Sequence, residues 1–235
     1  MIHTYSGETI SFEINYKKRN SIGIYIDLYG NVEVRAPKGT PDVSVIQLLE
    51  EKWDLILQKS KEMKDRIEGP QKKVYEYGEK FLYLGRSYSI QIFQDEALNQ
   101  DYVTFEKDTL HIHVKQLEDE KIKRALRRFY YQQCKALVER SIQSYHRNFK
   151  IKPHSIRITD SKTNWGTCDS KRQLTFNWRL AMAPLEVIDY VVVHEMCHMI
   201  HMNHDRSFWR LVGKIIPDYK DRENWLALTS WKMTV

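Results

Sequence analysis

The sequence predicts an α+β protein. A β-rich N-terminal region with one long helix, residues 1–116, precedes a compact core over residues 117–235 built around a helix that carries a His-Glu-x-x-His sequence. Three observations predict this. Apolar and polar residues alternate through the first forty residues and again over 81–114, which is the period of strands. The period lengthens to that of a helix from residue 117. The most apolar stretch, residues 187–200, is interrupted only by Asp189, His194, Glu195 and His198.

In chain order, Ile10, Phe12 and Ile14, then Ile22, Ile24 and Ile26, then Val32, Val34 and Ala36 read as strands of a meander, with Tyr29-Gly30-Asn31 as turn chemistry. Pro37 and Gly39 break the pattern. Thr40-Pro41-Asp42 supplies an N-cap, a first-position proline and a first-turn acid, so a helix is predicted from there. Val45, Leu49, Trp53, Ile56 and Leu57 recur on one face of it, and a charged stretch ends it at Gly69-Pro70. Two hairpins follow, 81–93 around Gly85-Arg86 and 102–114 around Lys107-Asp108. A helix from 117 to about 150 carries Ile122, Leu126, Phe129, Leu137 and Val138, and Pro153 terminates it. Ile156 and Ile158 mark a short strand, and Leu174, Phe176 and Trp178 mark a second that pairs with it across the polar loop 160–171. Pro184 opens a helix that runs to about Met202, and helical segments 208–216 and 221–231 follow, separated by Pro217.

With 235 residues, 42% of them hydrophobic and 29% charged, the chain is neither disordered throughout nor fibrous. It can bury a core without disulfides or a structural metal. The net charge of +6 permits an anionic partner without requiring one. Cys134, Cys168 and Cys197 are odd in number and widely spaced with no CxxC pair, which fits a reducing, cytoplasmic setting. No secretory apolar region lies near the N-terminus and no run reaches the ~18 apolar residues of a membrane span, so no membrane association is expected.

The chemistry sits in His194-Glu195-Met196-Cys197-His198. Histidines at i and i+4 stand one helical turn apart on one face, so both imidazoles reach one ion at ~2.0 Å with Glu195 beside them. Metal-assisted hydrolysis needs that arrangement. Ile188, Val192, Met196 and Met199 form the opposite stripe, so the helix can pack into a core while presenting its ligands to a cleft. A catalytic site wants a third protein ligand and one open position. His201 is ~10 Å further along a regular helix, too far to share the ion. His204 works if the helix stops, and Asn203 tolerates the left-handed conformation that would turn the chain there. Glu223, in a later helix, is the alternative. The pattern His194-Glu195-x-x-His198-x5-His204 also has the ligand spacing of HExxHxxGxxH, with His201 in place of the glycine.

Trp165-Gly166-Thr167-Cys168, the run 174–180, Met182-Ala183-Pro184, the run 187–198, Asn203-His204 and Phe208-Trp209 together resemble the YgjP-like metal-dependent hydrolases, relatives of the SprT and WLM zinc metallopeptidase groups. The match covers roughly residues 155–215 and is far less specific in the N-terminal half. The resemblance implies a zincin-like core, one zinc ion held by His194, His198 and His204, and Glu195 as catalytic base. It implies no particular substrate. A peptide or protein is the expected substrate. Gln173 to Trp178, with Asn177 in it, is the candidate strand for main-chain recognition of an extended peptide, and Asn164, Trp165 and Tyr219 are candidate oxyanion donors from flanking loops. The basic block at 121–128 leaves a nucleic-acid-associated protease as a second reading, although a solvated helix face explains it better. A binding module that retains a zinc site is the third. It has no use for Glu195. Cys168 and Cys197 are expected to be reduced core thiols, and His111 and His113 surface residues.

Overall fold

Ile10, Phe12, Val32 and Val34 bury one face of the first sheet, and the helices that follow cover it. The structure is a computed structural model that describes residues 1–27, 29–68, 73–161 and 163–235, with the side chains of 66–68 excluded. It divides into two compact units, Met1–Gln71 and Lys72–Val235.

The first unit contains β1 (Ile2–Tyr5), β2 (Glu8–Lys17), β3 (Gly23–Ile26) and β4 (Val32–Pro37), then α1 (Asp42–Glu51) and α2 (Trp53–Glu68). Its strand order is β1-β2-β4-β3, with β4 parallel to β2 and antiparallel to β3. The expected meander is therefore not formed. Seating β4 between two neighbours buries Val32, Val34 and Ala36 completely or nearly so, whereas a meander would leave that strand at an edge. The single helix expected after Pro41 is two, broken at Lys52, where φ is −111° and ψ 17°. Val45 and Leu49 of α1 and Trp53 and Ile56 of α2 still enter the same core, the face the sequence pattern marks. The expected end at Gly69-Pro70 lies outside the described residues.

The second unit begins with β5 (Lys80–Tyr83), β6 (Arg86–Gln94), β7 (Tyr102–Glu106) and β8 (Thr109–Val114), in the order β5-β6-β8-β7. Both hairpins read from the sequence are present, and each turns through two residues of positive φ: Leu84-Gly85 and Lys107-Asp108. α3 (Asp119–Tyr145), β9 (Ser155–Thr159), β10 (Gly166–Cys168), β11 (Gln173–Asn177), α4 (Leu185–His198), α5 (Arg206–Ile215) and α6 (Tyr219–Thr229) complete it. One core joins Phe81, Leu110 and Ile112 to Leu126, Tyr130, Trp178, Val192 and Met196. The sequence boundary near residue 116 thus falls inside this unit, because β5–β8 bury their apolar face against α3 and share its core.

Inward residues Ile122, Ala125 and Leu126 seat the basic stretch of α3. Three of its cations are engaged within the fold: Arg127 meets Asp160 at 2.5 Å, Arg128 donates to the Asp101 carbonyl at 3.3 Å, and Lys121 pairs with Glu118. His113 stacks between Phe93 and Tyr102 on the outer face of its sheet, and His111 on Phe93. Among the described residues no helix is long and apolar enough to cross a membrane.

Candidate metal centre

Residues 187–193 put Val187, Ile188, Val191, Val192 and Val193 into the core, so α4 is held by its apolar surface along most of its length. Asp189, the one acid in that run, accepts from the buried Ser141 hydroxyl at 2.6 Å and from Tyr145 at 3.3 Å, which ties α4 to α3. Ahead of the helix, Gly85 (φ +80°) presses on Pro184, with a Cβ position only 2.5 Å from the ring, and the Leu84 and Gly85 amides bond the Ala181 and Met182 carbonyls. The start of α4 is fixed by these contacts.

The helix ends at His198, four residues earlier than the sequence implies. The Ile200 and His201 amides both bond the Cys197 carbonyl, and no residue from 199 to 205 has positive φ. Asn203 does not supply the left-handed turn expected of it. The chain reverses instead through tight turns, and Asp205 captures it by accepting from the Ser207 and Phe208 amides at 2.9 Å as the N-cap of α5. His204 precedes that cap and is thereby fixed beside α4. Phe208, fully buried, packs against all three imidazoles with ring centroids 4.4–4.9 Å away.

His194, His198 and His204 converge, their ligand atoms lying within 4.8 Å of one another, while Glu223 is not in the group. The His204 Nε2 lies 3.0 Å from that of His194 and 3.1 Å from that of His198. Donors bound tetrahedrally to one ion at ~2.0 Å stand ~3.3 Å apart, so the spacing suits a single ion. The tautomer suits it too. His198 Nδ1 faces the His201 carbonyl at 3.0 Å, and donating there leaves its Nε2 lone pair aimed into the cluster. This is what His201 contributes: a backbone oxygen rather than its ring. Burial first, and then the neighbouring rings of His198 and His204, lower the His194 pKa to about 3, so this imidazole is neutral, the form that ligates. Its Nδ1 is buried without a hydrogen-bond partner among the described residues, and packing by Tyr190, Phe208 and Trp209 sets its orientation.

Glu195 is 5% exposed, and burial pushes its carboxyl up to about 8. Its side chain lies against Gly166 of β10, where an added Cβ would stand 2.6 Å from Cγ and 2.7 Å from Oε1. Gly166 is a site residue that the sequence reading named only within a resemblance. His194, Glu195 and Gly166 open onto a cavity of about 370 Å3, whose wall includes Asn164 and Trp165.

Asn177 is not in that wall. It is 5% exposed, its Nδ2 donates to the Ser161 and Asn164 carbonyls at 2.8 and 3.3 Å, and its Oδ1 accepts from the Arg179 amide. It holds the loop that carries Asn164 and Trp165, and with those two residues and Gly166 it lines a separate, smaller cavity of about 160 Å3. Tyr219 also stands apart from the cavity, stacked on Trp209 and Tyr190 behind the histidines. The strand expected to receive a peptide, Gln173–Asn177, is central in its sheet, with β10 on one side and β9 on the other, so its main-chain groups are taken. β10 is the edge. Cys168 and Cys197 lie outside the histidine group, and burial raises their thiols to about 11 and 12.

No curated protein matches the chain. Among solved structures, the crystal structure of the metallopeptidase zymogen of Pyrococcus abyssi abylysin is similar over 40% of this chain and 90% of that one, with 22% sequence identity and a TM-score of 0.34. A match to the YgjP-like family, described as a metallopeptidase domain, spans residues 20–229 and so takes in the histidine cluster, Glu195 and the cavity. The chain belongs to the YgjP-like family of metallopeptidase domains and is a metal-dependent hydrolase.

Proposed function

We propose that the chain is a zinc-dependent peptidase in which His194, His198 and His204 hold the ion and Glu195 is the general base. The convergence of three imidazole Nε2 atoms at 3.0–3.1 Å beside a buried carboxylate carries this reading. Three neutral nitrogens suit zinc among the divalent ions, and a set of three protein ligands leaves a position for reaction. A divalent ion held there supplies Lewis acidity, polarising a carbonyl and acidifying water. Glu195, held by Gly166 and the α4 backbone, accepts the proton of the attacking water at its carboxylate and returns it to the leaving amine nitrogen. Burial raises the cost of charge on that carboxylate, and a cation close by would offset it. The β10 edge beside Glu195 offers unpaired main-chain groups to an extended peptide, with Trp165 and Asn164 flanking the bond to be cut.

The test is Glu195→Gln. Peptide hydrolysis is expected to fall by about 10²–10⁴-fold while the bound metal is retained. Unchanged turnover of a peptide that the wild type cleaves would refute Glu195 as the base.

A further inference from the structure

The cavity beside Glu195 contains a charge that catalysis does not use. Glu223 of α6 lies in its wall, exposed, and its carboxylate makes no ion pair or hydrogen bond among the described residues. The adjacent cation, Arg222, is committed elsewhere, to Asp218 at 3.0 Å and to the Glu186 carbonyl at 2.8 Å. Among the described residues no lysine or arginine lines the cavity, where Trp165, Val191 and Leu226 form an apolar wall beside the uncharged Thr163 and Asn164. A ligand that enters therefore meets an aromatic and aliphatic channel leading from the reaction centre to one unpaired carboxylate. Methylenes ending in a cation complement that surface, the stem along Trp165 and Leu226 and the head at Glu223. An acidic side chain in the same position would meet the Glu223 carboxylate with no lysine or arginine among the described wall residues to offset it.

Resting on the peptidase reading above, we propose that Glu223 forms a cation-recognising subsite, so that preferred substrates present an ammonium or guanidinium group near the scissile bond. The group could come from a lysine or arginine side chain or from the substrate's own N-terminus. The same carboxylate serves either.

The full chain, loaded with one equivalent of Zn2+, is given quenched-fluorescence peptides. These differ only by Lys, norleucine or Glu at positions flanking one cleaved bond, and each is made with a free and with an acetylated N-terminus. At one position Lys is expected to exceed norleucine by about tenfold in kcat/KM, the worth of a hydrogen bond to a charged group. Glu223→Gln should collapse that ratio to near one, and Glu223→Lys should invert it in favour of Glu. Asp221→Asn, a carboxylate of the same helix outside the cavity wall, should leave the ratio in place. If acetylation rather than the Lys-to-norleucine exchange removes the preference, the recognised cation is the substrate's N-terminus and the subsite stands. Wild-type ratios near one at every position, with all peptides cleaved, overturn the subsite and leave the peptidase reading intact. Titration of the same peptides into Glu195→Gln reads the subsite without turnover. Equal affinities of the cationic and neutral peptides overturn it, whereas a tenfold difference without cleavage by the wild type upholds the subsite and refutes the peptidase.

Discussion

His194, Glu195 and His198 are legible from spacing alone, because four residues make one helical turn and the structure places the motif within α4. His204 is legible as a candidate ligand, but the turn that delivers it is not the one Asn203 suggests. Its position depends on the turn at 199–200, the bend that follows and Asp205 capping α5, and the cap's signal, an aspartate two residues before Ser207, is present in the sequence. Gly166 is different, since its contact with Glu195 joins residues far apart in the chain and no local pattern marks it. A methyl group there must displace the Glu195 side chain. Gly166→Ala is therefore expected to lower kcat by about 10²-fold, the scale on which ångström misplacement of a catalytic group is felt, with metal content unchanged. Steady-state kinetics alongside elemental analysis checks it, and a fully active variant would show that Glu195 tolerates the shift.

At the scale of elements, periodicity shows which segments are strands and helices but not which strands are neighbours. β11 reads as an alternating strand suited to peptide binding, yet its alternation records only that one face is buried and says nothing of its ladder neighbours, which are β9 and β10 on either side. The placing of β4 beside β2 is hidden for the same reason, since pairing across a crossover leaves no local mark. The contact that positions the start of α4 yields a stability prediction. In Gly85→Ala a residue at φ +80° gains a methyl 2.5 Å from the Pro184 ring, and a loss of about 1–3 kcal/mol is expected, read as a lower thermal midpoint. Asp160 yields one for pH. Burial alone would raise its pKa, but hydrogen bonds from Arg179 and Trp178, helped by the nearby guanidinium charges, outweigh that and hold it below the ordinary value of 3.8. Its folded pKa lies below its unfolded one, so its stabilising contribution is complete above the unfolded value and is lost as pH falls through the folded value. Arg179→Gln should narrow the stability gap to wild type as the medium is acidified from pH 5 towards pH 2. A gap in the urea midpoint that is constant with pH would count against the link.

For the whole molecule, the change of period near residue 116 is real, but it marks a change of element and not of core. β5–β8 and α3 share one cluster, whereas residues 1–71 have their own around Phe12, Val34 and Leu49. Hydrophobic pattern records which face a segment buries and is silent about which partner covers it. A fragment of residues 72–235 is accordingly expected to unfold cooperatively and to bind one divalent ion, while residues 117–235 alone, with the core face of α3 uncovered, are expected to be insoluble or molten. Thermal melts and metal titration of the two fragments separate these outcomes, and equal behaviour would place the division elsewhere.

The central claim is that three histidines, two from one helical turn and one from a capped loop, form a single metal site. The most direct measurement is the metal content of the purified full chain and of His204→Ala after dialysis against a weak chelator. About one zinc ion per chain in the wild type, with most of it lost from the variant, is the expected result. Full retention of zinc by His204→Ala would contradict the three-histidine site.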